Sequence, residues 1–377
     1  MAGIYIHIPF CRKKCTYCDF HFSTTFESYR ERMLETMLRE GQERSAELKG
    51  RDVKTIYLGG GTPSLLYPQE LRRILNQMQA YFSVTTDAEI TLEANPEDVN
   101  SRQLQEWKEL GINRLSIGLQ SFRQQDLDWM NRAHSMDESR QSVRLAQAAG
   151  YSNITVDLMY GLPNLSISEW RAHVREVIQM GVSHVSAYCL TIEHKTALEK
   201  MIKNGALQAA PEDDQAEQFL VLVSELRAAG LEQYEISNFA VPGMESQHNS
   251  AYWKGEHYVG IGPSAHSFDG QKRRWNVANN SGYMRALEMG EVYFEEEILT
   301  KEDSFNERLL TGLRTREGVS LGELNAKFSA RPAFKKSVRD FEDKGWICIS
   351  NDHLVLSDEG KLRADFIAAE LFMEREK

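Results

Sequence analysis

The stretch IYIHIPFCRKKCTYCDF, residues 4–20, joins a strand-like run to a loop holding three of the chain's five cysteines. IYIHIPF alternates β-branched with polar residues and meets Pro9, the pattern of a short strand. CRKKCTYC then spaces Cys11, Cys15 and Cys18 by four and three, with Phe20 where a further thiol would fall. Thiolates suit zinc and iron–sulfur sites alike. A structural zinc is closed and four-coordinate, and would need Cys189, Cys348 or His21 as its fourth ligand. Three ligands leave one iron of a 4Fe–4S cluster open to a substrate or cofactor. The residues leave both readings standing, with the spacing favouring the cluster.

Five runs of the same kind follow: TIYLGGGTPS (55–64), EITLEANP (89–96), RLSIGLQS (114–121), ITVDLMYGLP (154–163) and HVSAYCL (184–190). Helical periodicity fills the intervals at 27–48, 68–82, 101–110, 137–149 and 168–180. Strand, helix, strand at this spacing predicts parallel βαβ units, and six units predict an α/β chain built as a partial (β/α)6 TIM-like barrel. Each run ends in glycine or polar residues, at the end of the strand where such barrels carry their active sites.

Composition narrows the classes. With 377 residues, 41% of them hydrophobic, the chain has material for a large core and a smaller one. It lacks an apolar run of about 18 residues, which excludes a membrane-spanning helix. No secretory signal precedes IYIHIPF, so a cytoplasmic location is expected. A net charge of -11 with both signs interspersed argues against a nucleic-acid surface. An odd cysteine count with three in eight residues suits a metal site in a reducing compartment better than a disulfide framework.

Downstream of PEDD (211–214), a helix is expected near 215–229, and QYEISNFA (233–240) and HYVGIG (257–262) are expected to add strands to the open edge of the barrel. A shift in composition near 296–304 marks a boundary. Helices near 305–316, 320–328 and 331–344 then precede WICISNDHLVLS, which reads as a hairpin, so a helical, winged-helix-like domain is expected. That tail holds 14 Lys and Arg against 15 Asp and Glu, which favours a lid or docking role over DNA binding. The expected division is 1–240 for the core, 241–298 for an extension carrying HNSAYW, and 299–377 for the C-terminal domain.

Single residues suggest chemistry. Gly59–Gly61 permit close backbone approach at a strand end, offering free N–H groups and the Thr62 hydroxyl to an amino-acid moiety. Glu93 in LEANP would suit an ammonium group. Asp157, within its strand, is placed to accept from ribose hydroxyls, and an unpartnered buried aspartate would be costly. GIGPSA (260–265) lacks the third glycine of a dinucleotide fingerprint, and a Rossmann site is rejected. In HNSAYW (248–253), His248 offers an imidazole suited to haem iron, while Tyr252 and Trp253 offer flat apolar surface. The plainer alternative has His248 and Asn249 pinning a loop over the barrel mouth, and His257 and His266 are rival ligands.

C-x3-C-x2-C after the first of six βα units resembles the radical S-adenosylmethionine (SAM) superfamily. YIHIPFC with CDF resembles its coproporphyrinogen dehydrogenase-like group, on the branch of the haem chaperones. GGGTPS, LEANP, SIGLQSF, DLMYGLP and HNSAYW follow in order over essentially the whole length. The resemblance implies a 4Fe–4S cluster on Cys11, Cys15 and Cys18 with SAM at the open iron. It implies that Gly60, Gly61 and Thr62 contact the methionine end of SAM, that Glu93 faces its ammonium group, that Gln120 and Asp157 hold the ribose, and that Arg132 pairs with the carboxylate. Tyr5 and Tyr17 match positions lining the cofactor pocket, and HNxxYW is linked with haem, through His248, Tyr252 and Trp253.

Function divides three ways: a haem chaperone delivering haem to apoproteins such as respiratory cytochromes, an oxygen-independent coproporphyrinogen III dehydrogenase, or a barrel with a structural zinc. Phe20 in place of the cysteine that the dehydrogenases carry, and the ten residues before Cys11, favour the chaperone. The same resemblance implies haem as cargo and transient contact with the cytoplasmic membrane face, with a homodimer left open; the charge balance argues for no nucleic-acid partner.

Overall fold

The computed structural model describes residues 1–328 and 332–373. Its centre is six strands paired in chain order and all parallel to their neighbours: β1 (Ala2–Ile8), β2 (Val53–Gly60), β3 (Val84–Ala94), β4 (Arg114–Gln120), β5 (Ile154–Tyr160) and β6 (His184–Cys189). Their alternation has one apolar set, with Ile4, Ile6, Ile8, Ile56, Leu58, Leu115, Ile117, Val156 and Leu158 fully or almost fully buried. These share one core with Met33 and Leu34 of the helix Arg30–Glu43 and Leu71 and Ile74 of the helix Pro68–Tyr81. The opposite set is polar. Tyr5 pairs with Tyr57, Glu93 with Ser116, and Asp157 with both Gly118 and Ser186, so these rows share the other face. Ser135 and Ser166 start their helices with capping boxes to Glu138 and Glu169.

The expected elements differ in particulars. β3 begins at Val84, five residues ahead of the expected start at 89, and the segment 27–48 is helical over Arg30–Glu43 with short 3-10 turns on either side. The sheet also grows at both edges and not at one. β8 (Asn238–Ala240) pairs antiparallel with β6 and with β7 (Glu232–Glu235), while β9 (His257–Ile261) lies parallel to β1 on the far side. From β9 a meander runs through β10 (His266–Phe268), β11 (Lys272–Asn276) and β12 (Phe294–Ile298). The described sheet has twelve strands in the order β12-β11-β10-β9-β1-β2-β3-β4-β5-β6-β8-β7. It stays open, with β12 and β7 as its edges.

Beyond β12, helices Lys301–Gly312, Leu321–Phe328 and Pro332–Asp343 pack with the three-stranded sheet of β13 (Val319–Ser320), β14 (Ile347–Ser350) and β15 (His353–Leu356), the winged-helix-like arrangement. The expected helix start at 331 and the chain end at 377 lie outside the described residues. Phe305, Leu309, Leu324, Val338, Leu354 and Ile367 form a core of their own. Polar contacts join this lobe to the barrel. Ile236 and Arg316 donate backbone N–H bonds to Arg314 and Tyr234, and Arg314 pairs with Glu235 at 2.9 Å. No helix among the described residues is long and apolar enough to cross a membrane.

Candidate functional site

At the C-terminal ends of β1–β6 the polar face encloses a cavity of about 460 Å³. Cys11, Cys15, Tyr17 and Cys18 reach it from the loop after β1, and Gly60, Gly61 and Thr62 from the end of β2. Glu93, Gln120, Arg132 and Asp157 complete the expected group on its wall. Tyr5 stands apart, stacked behind Tyr57 with ring centres 6.1 Å apart. The glycines are required by space. Gly60 has φ of 102°, and a Cβ on Gly61 would sit 2.6 Å from the Phe10 carbonyl oxygen and 2.7 Å from that of Ile8.

The expectation of free N–H groups at this turn is corrected. Gly60 donates to Glu93 Oε2 at 3.2 Å, Gly61 to the Ile8 carbonyl at 2.8 Å, and Thr62 to the Phe10 carbonyl at 2.7 Å. The Thr62 hydroxyl faces Cys11 Sγ at 3.4 Å. The turn therefore spends its donors on fixing the cysteine loop to β2, because a loop crossing a strand end leaves its own carbonyls in need of partners.

Burial governs the electrostatics. It pushes the Cys11 thiol up to about 12 and the Cys18 thiol to about 11, so the free thiols are neutral. It raises Glu93 to about 7 against hydrogen bonds from the Tyr57 hydroxyl (2.8 Å) and Gly60 N–H. Asp157 rises to about 6, again through burial, opposed by Arg114 and by the Ser116 hydroxyl at 3.3 Å. Arg132 donates to Asn95 Oδ1 at 2.7 Å and the Gly118 carbonyl at 3.0 Å, lies 3.6 Å from Cys15 Sγ, and keeps Nε buried without a partner. Among the described residues no group of three or more His, Cys, Asp or Glu side chains is gathered around a single point.

A second cavity, of about 890 Å³, opens beside the first and shares Tyr188 and Asn249 with it. Tyr252, Trp253, Tyr258 and Phe268 supply apolar faces, and Arg273, Arg308 and Arg314 line it paired with Glu307, Glu323 (3.5 Å) and Glu235 (2.9 Å), which line it too. The HNSAYW segment forms a helix, Gln247–Trp253, capped by Ser246. That helix turns Asn249, Tyr252 and Trp253 to the second cavity but His248 away from it. The His248 ring is 3% exposed, bonded through Nδ1 to Thr55 Oγ1 at 2.8 Å and stacked on Tyr57. Burial lowers it to about 3, so it is neutral. His257 and His266 begin β9 and β10 and are likewise absent from the walls of both cavities.

Residues 5–177 match the radical SAM superfamily and residues 299–363 the HemN C-terminal domain. The chain is 34% identical over 374 residues to the heme chaperone HemW of Bacillus subtilis, covering 96% of this chain and 97% of the relative. It is 38% identical over 272 residues to the heme chaperone HemW of Escherichia coli, covering 70% and 69%. The chain belongs to the HemW family of the radical SAM superfamily. The solved coproporphyrinogen III oxidase HemN of Escherichia coli has the same fold, with a TM-score of 0.85 at 21% identity over 98% of this chain and 90% of that one.

Membership of the radical SAM superfamily brings a 4Fe–4S cluster and SAM, and the first cavity of this HemW-family chain fits them. Soft thiols, two carboxylates and an orphaned guanidinium nitrogen line one enclosed space, a donor set that a cluster and a zwitterionic sulfonium compound would satisfy. Sequence reasoning missed Tyr57, Asn95, Arg114, Ser116, Ser186 and Tyr188 on the walls. Their signal was the alternation itself, in which every second residue of an otherwise apolar strand is polar.

Proposed function

We propose that the chain is a haem chaperone that holds a 4Fe–4S cluster on Cys11, Cys15 and Cys18 with SAM beside it, takes haem into the second cavity, and hands haem to apoproteins such as respiratory cytochromes. The observation that carries this reading is the second cavity, flat aromatic walls and three arginines directly beside the cofactor cavity. Aromatic faces suit a macrocycle and guanidinium groups suit its propionates. The relatives named heme chaperones, matched along nearly the whole chain, support the same reading.

The cluster, held by Cys11, Cys15 and Cys18, would offer SAM an iron that no cysteine occupies. Around it, Glu93 would accept from the SAM amino group, Arg132 would donate to the carboxylate, and Gln120 and Asp157 would hold the ribose hydroxyls, with Gly60, Gly61 and Thr62 shaping the turn, Tyr17 on the wall and Tyr5 behind Tyr57. Tyr252 and Trp253 would face the haem. His248 braces their helix from behind, so a role as iron ligand would require that helix to turn. The division into core, extension and C-terminal lobe at about 240 and 298 assigns the HNSAYW helix to the extension. Work in the cytoplasm and transient contact at the membrane face belong to the same proposal, with a homodimer left open.

Coproporphyrinogen III dehydrogenation is the second reading, favoured by the shared fold with HemN and opposed by Phe20, which is 69% exposed at the cavity mouth. The test is anaerobic: reconstitute the cluster, verify iron and sulfide, and assay haem binding, then add SAM, reductant and coproporphyrinogen III. Bound haem without protoporphyrinogen is the expected result. Multiple turnovers to protoporphyrinogen would overturn it.

A further inference from the structure

Beneath the cofactor cavity lies a buried charge with no place in the scheme so far. Arg114 opens β4, reaches the cavity wall, and is 1% exposed. Its Nη2 donates to Thr155 Oγ1, its Nε has no hydrogen-bond partner, and its nearest carboxylate, Glu89, stands 3.9 Å away. Glu89 is itself occupied. It accepts the backbone N–H of Gln247 at 3.2 Å and of His248 at 3.1 Å, the first two residues of the helix whose Asn249, Tyr252 and Trp253 line the second cavity. A guanidinium cannot discharge by losing a proton, so its presence in a dry interior calls for anions around it. Those nearest are Glu89 below and, beyond ion-pairing distance on the same cavity wall, Glu93 and Asp157, opposite Ser116 and Gly118 of the strand that Arg114 opens; its charge favours both in ionised form, though it is the smaller influence on Glu93.

We infer that Arg114 is a positioning residue common to both cavities, counter-ion to the Asp157 and Glu93 carboxylates on one side and, through Glu89, anchor of the HNSAYW helix on the other. This rests on the reading that the first cavity takes SAM. Arg132 is the other cation facing Asp157, while His184 and His248 beside Arg114 are held neutral by burial, so removal of Arg114 leaves Asp157 with Arg132 alone.

The test uses full-length protein with its cluster reconstituted, and equilibrium dialysis of SAM from pH 5.5 to 8.5. In the unaltered protein SAM binding strengthens as pH rises through 6 to 7, where the two carboxylates ionise. Arg114→Gln should move that midpoint up by about one pH unit, and Arg114→Lys should restore it. Glu89→Gln should weaken haem binding several-fold while leaving the SAM midpoint within about 0.3 of a pH unit of the unaltered protein. An unmoved midpoint in Arg114→Gln overturns the upper half of the inference, and unchanged haem affinity in Glu89→Gln overturns the lower half. If Arg114→Gln does not fold, Arg114→Met takes its place in the SAM titration, and Glu89→Gln still decides the lower half. Failure of the unaltered protein to bind haem would count against the chaperone reading and leave the SAM titration intact.

Discussion

The two cavities are neighbours built on opposite plans. The first is walled by side chains at the ends of adjacent parallel strands, so one continuous ladder of hydrogen bonds fixes their spacing. The second is assembled from both lobes, with Tyr188, Tyr252 and Tyr258 on the barrel side and Arg308, Leu324 and Phe328 on the other. Its halves meet through backbone hydrogen bonds at Ile236 and Arg316, through Arg314 on the buried Glu235, and through exposed or half-exposed ion pairs such as Arg316 with Glu232 (3.0 Å) and Glu245 (2.9 Å), the last individually worth under about 1 kcal/mol. Rigid walls suit a cofactor that must sit at one place on a cluster. Walls drawn from two lobes suit a cargo that must leave.

The sharpest way to break this contrast is at the thiols. Cys15→Ser should reduce cluster iron and sulfide to background while haem binding persists, because one of three ligands is gone from the rigid site only. Full iron retention would end the cluster assignment. Next in size is the charge trapped in that wall. Glu93 is protonated in the folded chain up to about pH 7 and ionises near 4.5 when unfolded, so its contribution to stability is whole below about 4.5 and lost as pH rises through 7. That difference is on the order of 3 kcal/mol, so thermal melts of ligand-free protein at pH 5 and pH 8 should differ less in Glu93→Gln than in the unaltered chain. An identical pH dependence in both would remove Glu93 from the account.

Effects on the second cavity should be smaller and separable. Trp253→Ala, which removes a flat wall and the ring under Arg314, should weaken haem binding about tenfold with SAM binding unchanged. Equal losses for both ligands would show that the cavities are one site. Smallest, Arg316→Ala should alter the melting temperature little but speed haem release several-fold in stopped-flow transfer to an apoprotein. Unchanged release would mean that the lobes do not part along that seam.

Much of this was legible in the chain. Cysteine spacing, six strand-and-helix units and the order of the glycine and carboxylate motifs located the first cavity, because parallel strands bring residues at equivalent strand ends together whatever lies between them. Less was legible where distant segments meet. Nothing in HYVGIG said that β9 would join β1 and not extend the β6 edge, and the meander of β10 to β12 carried weak periodicity because its strands are only three to five residues long. The polar alternation in TIYLG, RLSIG and HVSAY was visible but unused, although it marks an interior that is wet or charged while the outer face is covered by helices.

His248 shows where the division falls. Its residue type and its aromatic neighbours suggest a ligand, and the sequence leaves that reading beside one in which His248 and Asn249 pin a loop over the barrel mouth. Which side of the helix the imidazole takes depends on Glu89, more than 150 residues away, accepting the helix's first two N–H groups and so fixing its rotation. Local spacing determined the cysteine loop and the strand-end motifs, since those groups act within a few bonds of one another. The tertiary structure alone decided the shared wall at Tyr188 and Asn249, the buried Arg114 and the direction of His248, because each depends on the packing of segments that the chain brings together only when folded.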